Sequence, residues 1–379
     1  MVGAVPRLAL FASLAAASGL GCAGAPYVTA PLERSFQRGV ALGFVDARAG
    51  SAAPGGALAT TLREVRALGA SDVSIVVPLY TEGLSGTRVW RGALDDADGR
   101  ETSPTDEAMN DAALRRVIAA AHAAGQRVMI FPIVRLRVRA PGEWRGKLRP
   151  VDRDAWFASY AAQVVALAQL CAGACAERLA IGSELVSFED DPARWRALAA
   201  TVRGRYAGKL LYSANWDRYR AIGFWDAVDE VGVSAYFSLA ARGEDPSVPA
   251  LVAAWRPIVA ELAAFSAAHA RPIVFTEVGF PSVQGAAYWP WNDGQSKTSC
   301  AAGEGCEGER SMEAQRRLWA AFVSVFSARD ATSFLAGTYV WLWVGAGGLR
   351  DRGYSPRGKP AQAVLELWYR AGSPSPMLH

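Results

Sequence analysis

Apolar residues along this chain fall into two alternating patterns. One is a short, nearly continuous run; the other is a longer segment in which apolar residues recur every three or four positions. The continuous runs are VALGFV from Val40, DVSIVVPLY from Asp72, RVMIFPIV from Arg127 and RLAIGSEL from Arg178. They continue with KLLYSANW from Lys209, EVGVSAYF from Glu230, PIVFTEVGF from Pro272 and GTYVWLW from Gly337, which makes eight. Apolar runs of this length predict parallel strands covered on both faces. Leu58, Leu62, Val65 and Leu68 mark a helix after the first run, and helical spacing returns over 106–126, 154–170, 191–208, 311–326 and 360–370. Asp191 followed by Pro192 predicts an N-cap with proline at the first helical position. The segment after the fifth run, DRYRAIGFWDAVD, is short and only weakly periodic.

Strand followed by helix, repeated eight times without a further domain's worth of chain, predicts a single-domain α/β fold, the (β/α)8 TIM barrel, over 39–372. Residues 1–22 read as a targeting segment, 23–38 as a linker and 373–379 as a tail. A doubly wound open sheet is the alternative architecture. No Gly-x-Gly-x-x-Gly follows the first run and no Walker loop occurs, so its nucleotide-binding forms lack their fingerprints.

Composition narrows the partners. A formal charge of +4 over 379 residues, dispersed over helix faces, argues against nucleic acid. At the N-terminus Arg7 precedes an apolar stretch, Leu8 to Leu20, too short to span a bilayer, which ends in GLGC. This ending resembles the lipobox of a bacterial lipoprotein, with Gly19 where such boxes usually carry Leu. The resemblance implies export and a membrane anchor on lipidated Cys22; ordinary signal cleavage to a periplasmic or secreted protein is the alternative. The other four cysteines form two close pairs, Cys171 with Cys175 and Cys300 with Cys306, across Gly-containing connections. In an oxidising compartment these are expected as disulfides. Three histidines and no Cys-x-x-Cys give no metal-site pattern, and no cofactor is expected.

Two of the apolar runs end in a carboxylate, Glu184 in the fourth and Glu277 in the seventh. Burying such a charge costs several kcal/mol unless it is paired or neutralised. In a barrel the C-terminal strand ends share one face, so both carboxylates would enter one cleft. Two facing carboxyls are what glycoside hydrolysis needs: one protonates the leaving oxygen, and the other attacks the anomeric carbon or activates water. Taken singly, either Glu is equally consistent with a strand-end carboxylate paired with one of the 40 Lys and Arg residues.

The pair on strands four and seven, with AIGSEL, IVFTEVGFPS and a Trp-rich eighth strand, resembles glycoside hydrolase family 113. That family belongs to the clan A retaining (β/α)8 glycosidases, and its characterised members are β-mannanases. The resemblance runs from about Gly39 to Arg370. It implies that Glu184 is the general acid/base, protonated at the start, and that Glu277 is the nucleophile. It also implies a hydrogen bond from Tyr236 to Glu277 and an aromatic platform at Trp343. Asn215, Trp216, Tyr80, Arg135 or Arg137, and Asp46 stand at strand ends where they would contact sugar. Trp289 and Trp291 would either line further subsites or pin their own loop. Ser183 occupies the position where many clan A enzymes carry an Asn that reads the sugar 2-hydroxyl, which leaves manno and gluco configurations both open. A non-catalytic carbohydrate-binding barrel, and a transglycosylase or hydrolase acting on an envelope glycan, are the alternative functions. Oligomeric state is not legible.

Overall fold

The computed structural model describes residues 36–43, 49–91, 110–291, 309–327 and 333–371. Eight parallel strands close on themselves in sequence order: β1 (Gln37–Ala41), β2 (Asp72–Thr81), β3 (Arg127–Leu136), β4 (Arg178–Ser183), β5 (Lys209–Asn215), β6 (Glu230–Ser234), β7 (Ile273–Val278) and β8 (Leu335–Val340). β8 pairs with β1 and so completes the barrel. The (β/α)8 expectation holds. The first strand begins at Gln37, two residues before the predicted boundary, because Gln37 and Arg38 pair with Gly337 and Thr338 of β8.

The outer layer comprises α1 (Ala49–Ala52), α2 (Ala57–Ala67), α3 (Asp111–Ala123), α4 (Arg153–Ala174), α5 (Pro192–Arg203), α6 (Val248–His269), α7 (Met312–Phe326) and α8 (Pro360–Ala371). Leu58, Leu62 and Val65 form the buried stripe of α2, as their spacing predicts. Asp191 caps α5 by accepting from the Arg194 amide, with Pro192 in the first turn. Between β5 and β6 the weakly periodic segment yields only two 3-10 turns, Tyr219–Ala221 and Trp225–Ala227. Five of the thirteen tryptophans are structural: Trp156, Trp195, Trp225, Trp255 and Trp319 are fully buried in the core.

Inside the barrel, Val76, Met129, Phe131, Ile133, Ala180, Leu211, Val274 and Tyr339 form a separate apolar layer. Beneath it, at the N-terminal strand ends, lies a buried ionic plug. Arg127 binds Asp72 through two bonds of 2.9 and 2.6 Å, and Arg178 reaches Glu230 at 3.2 Å. Gln37 donates to Glu230 at 3.0 Å and accepts from Tyr339 at 3.0 Å. Every charge in this plug has a counter-charge, the condition under which ions remain tolerable in low dielectric.

One disulfide expectation fails. Cys171 is a free thiol, buried in the core by the last turn of α4, where burial pushes its pKa up to about 12. Cys175 is the left-handed C-cap of that helix (φ 58°), and its amide closes the helix onto the Cys171 carbonyl. The cap turns one residue out of the helix while the other faces the core. Cys175 is disulfide-bonded, but not to Cys171. Cys22, Cys300, Cys306 and Asp46 lie outside the described residues.

Candidate active site

The C-terminal ends of the strands open into a cavity of about 920 Å³, lined by Glu184 and Glu277 together. Local irregularities bring each carboxylate there. In β7, Val274 belongs to the inner layer while Phe275 packs outward on Phe322 and Phe326 of α7. Strict alternation would send Glu277 outward as well. The pairing with β6 instead jumps from Val233↔Phe275 to Ser234↔Glu277, and this extra residue re-aims Glu277 inward. In β4 the register shifts between Ala180 and Ser183, and Glu184 then takes a left-handed backbone, φ 52°. For a residue with a Cβ that conformation costs roughly 1–3 kcal/mol.

Three contacts hold the strained turn. The Glu184 amide donates to the Ser213 carbonyl at 2.8 Å. The Leu185 amide donates to the Tyr212 hydroxyl at 3.0 Å, and Tyr212 in turn donates to buried Glu189 at 2.9 Å. Burial pushes Glu189 up to about 7, against the Tyr212 bond and Arg218, so this support approaches a neutral carboxyl near neutral pH. The third contact is Arg145, in the segment between β3 and α4. It binds the Glu184 carboxylate at 2.6 Å and the Ser183 carbonyl at 3.1 Å.

Glu277 has a drier environment. The Tyr236 hydroxyl donates to Oε2 at 2.9 Å, while Oε1 is buried without a hydrogen-bond partner among the described residues. Burial pushes the Glu277 carboxyl up to about 8; the charge of Glu184 adds to the rise, and Arg145 and the Tyr236 bond oppose it.

Of the other expected contacts, Asn215, Trp216, Tyr236 and Arg135 line the cavity, as do Arg137 and Trp291. Trp291 stacks on Trp216 with centroids 5.6 Å apart, whereas Trp289 stacks on Tyr288. Tyr80 is not in the lining. It is buried beside Trp90, with the Arg135 guanidinium 6.0 Å over its ring. Ser183 is buried too; its hydroxyl has no partner among the described residues, and only its carbonyl is used, by Arg145.

Trp343 is corrected by its neighbour. Trp343 is buried and donates from Nε1 to Glu64 at 3.3 Å, and it lines a smaller cavity of about 270 Å³ beside α2 and α8. Trp341, one residue beyond β8, lines the catalytic-face cavity instead. The strand ends at Val340, so neither indole is placed by the alternation of β8. Sequence reasoning also missed Trp144, Arg139, Asp217 and Tyr354, all in the lining, and above all Arg145. Trp144 carried a weak signal. Gly146 lies under its ring, where an added Cβ would come within 2.3 Å, so the glycine makes room for the indole. Among the described residues no group of three or more His, Cys, Asp or Glu is placed to hold a metal ion.

A (β/α)8 barrel with a carboxylate pair in an aromatic cleft at its C-terminal face is the architecture of a glycosidase. Comparison with known proteins makes the class specific. The profile of Glycoside Hydrolase Family 113 matches residues 100–348, and the chain belongs to that family. It is similar to the GH113 β-mannanase AaManA from Alicyclobacillus acidocaldarius, solved in complex with ManMIm. Identity is 26% over 90% of this chain and 99% of that one, with a TM-score of 0.71. A second solved structure, a GH113 β-1,4-mannanase in complex, shares the fold at 21% identity and a TM-score of 0.69, over 89% of this chain and 99% of that one. No curated protein matches the sequence.

Proposed function

We propose that this glycoside hydrolase is a retaining enzyme acting on β-linked glycan, with β-1,4-mannan as the first backbone to test. The observation that carries the reading is the meeting of Glu184 and Glu277 in one cavity, with Tyr236 donating to the latter. Ionised Glu277 attacks the anomeric carbon while Glu184 gives its proton to the departing glycosidic oxygen. A glycosyl-enzyme ester forms as the C–O bond breaks. Water then attacks the same carbon, its proton passes to Glu184, and Glu277 leaves as a carboxylate. Retention requires the carboxyls to work at about 5 Å rather than the ~6.5–9.5 Å of inversion. Tyr236 aims the nucleophile, Arg145 orients the acid/base, and Trp341 and Trp216 offer faces to sugar C–H surfaces.

The test is reducing-end release from β-mannan, glucomannan, cellulose and xylan by wild type and Glu277→Ala. Release from mannan by wild type alone, with the β-anomer as first product, supports the proposal. An α-anomer, or equal release by both proteins, refutes it. We further propose export and anchoring through Cys22, which the lipobox-like GLGC supports. Fatty-acid labelling in a bacterial host should vanish in Cys22→Ser.

A further inference from the structure

We propose that the buried pair Glu189 and Tyr212 positions the proton donor, and so serves departure of the leaving group rather than attack by Glu277; this rests on Glu184 being that donor. The pair reaches Glu184 through the backbone. Tyr212 of β5 accepts from the Leu185 amide at 3.0 Å and donates to Glu189 Oε1 at 2.9 Å. A hydroxyl has one proton, so a carboxylate on one side fixes where it points and leaves its lone pairs facing the Leu185 amide. Burial pushes the Tyr212 pKa well above the usual tyrosine value, so the hydroxyl remains a donor. Glu189 itself closes the 3-10 turn Val186–Phe188 that follows Glu184. The left-handed residue, the amide after it and the end of the next turn are thereby tied to one strand.

Packing does not require these polar groups. The Tyr212 ring sits among Trp195, Phe224 and Trp225, at centroid distances of 4.9, 5.1 and 6.2 Å. A phenylalanine would fill the same space, and exchanging buried polar groups for apolar ones of similar volume is often neutral or stabilising. Strand β4 nevertheless gives up a side chain to admit the ring: a Cβ on Gly182 would stand 2.8 Å from Tyr212 and 2.9 Å from Trp195. Glu189 is 3% exposed, and its Oε2 makes no hydrogen bond with any described residue. The groups facing it are Tyr212, Arg218 with Nε 3.8 Å from Oε2, Glu184 and Asp217. A proton taken up near neutral pH therefore has a free oxygen to occupy, and the bond to Oε1 stands in both charge states. Arg218 adds a second link to β5. Its amide closes a turn onto the Asn215 carbonyl at 2.9 Å, and Asn215, Trp216 and Asp217 of that turn line the cavity. Glu189 thus joins the turn that carries the acid to the wall beside it.

The experiment compares kcat/KM on β-1,4-mannohexaose and on 2,4-dinitrophenyl β-mannobioside for the full chain as wild type, Glu189→Ala, Tyr212→Phe and the double variant. A dinitrophenolate departs without a proton, whereas a sugar alkoxide needs one, and kcat/KM covers only the steps up to the glycosyl-enzyme ester. Each single variant should lose roughly ten- to a hundred-fold on mannohexaose, part of what general acid catalysis supplies, and stay within about two-fold of wild type on the dinitrophenyl substrate. The double variant should lose no more than Tyr212→Phe alone, because both changes act through one amide. A loosened cleft, the purely structural role, would lower both substrates alike. Equal losses on the two substrates, wild-type rates on both, or additive losses in the double variant overturn the inference. If melting shows that Glu189→Ala does not fold, Tyr212→Phe, which keeps the ring, carries the test. Glu184→Ala is the reference and should show the same split more strongly. If it does and the pair's variants do not, only the positioning role falls. If it does not, or if wild type cleaves neither substrate, the assignment of Glu184 falls and takes the inference with it.

Discussion

Tyr236→Phe removes one oxygen atom and should move the enzyme's pH profile. The Tyr236 hydroxyl donates to Glu277 Oε2 at 2.9 Å, and Oε1 has no partner among the described residues. The substitution therefore takes away the hydrogen bond that favours the charged form of a buried carboxyl. Hydrogen bonds to ionised groups contribute roughly 1.5–3 kcal/mol. At 1.36 kcal/mol per pH unit, that is about one to two units. The sign follows from the direction of the bond: an O–H donor stabilises the carboxylate, so losing it pushes Glu277 further above its value of about 8. If Glu277 must be ionised to attack, the acidic limb of kcat/KM, which reports the free enzyme, moves to higher pH by that amount. Below the limb, kcat/KM falls roughly 10- to 100-fold, while the alkaline plateau falls much less. The assay is initial rates on a mannooligosaccharide from pH 5 to 10 for both proteins. A uniform loss at every pH would mean that Tyr236 acts on geometry or sugar contacts alone. An unmoved limb would refute the argument that this bond sets the charge on Glu277.

Other consequences of the same site can be checked separately. Because the folded protein holds the Glu277 proton to about pH 8 against about 4.5 when unfolded, stability should fall as pH rises between those values, by up to a few kcal/mol. Glu277→Gln should abolish that slope, so its melting temperature should exceed wild type by a margin that grows from pH 5 to 8; a constant margin would count against the burial argument. Trp341→Ala should weaken oligosaccharide binding with little change in melting, whereas Trp343→Ala should cost about 3–5 kcal/mol of stability, as buried indoles do. Gly146→Ala should push Trp144 from its seat and raise KM more than it lowers kcat, with steady-state kinetics as the check.

What could be read in the sequence is what local periodicity carries. The (β/α)8 repeat, the α2 stripe of Leu58, Leu62 and Val65, and the Asp191–Pro192 cap each depend on neighbours within one or two turns. Glu184 and Glu277 were legible for a related reason: a carboxylate ending an apolar run contradicts its surroundings, and such contradictions mark sites where another requirement outweighs stability. The remaining errors share one cause, which is that parity and pairing are tertiary properties. Trp341 and Trp343 are equivalent to any period-two argument, yet one lines the cleft and the other seals α2 to α8 because β8 ends at Val340. Cys171 and Cys175 are close in sequence, yet the left-handed cap separates them. Arg145 meets Glu184 across 39 residues of chain, out of a segment with no periodic signature. Its position depends on backbone bonds from Arg149 to Leu84 and from Val151 to Ser85 that tie the β3–α4 connection to the one after β2. A loop fixed by another loop leaves no local pattern, and here such a loop delivers the guanidinium that binds one catalytic-site carboxylate and lowers the pKa of the other.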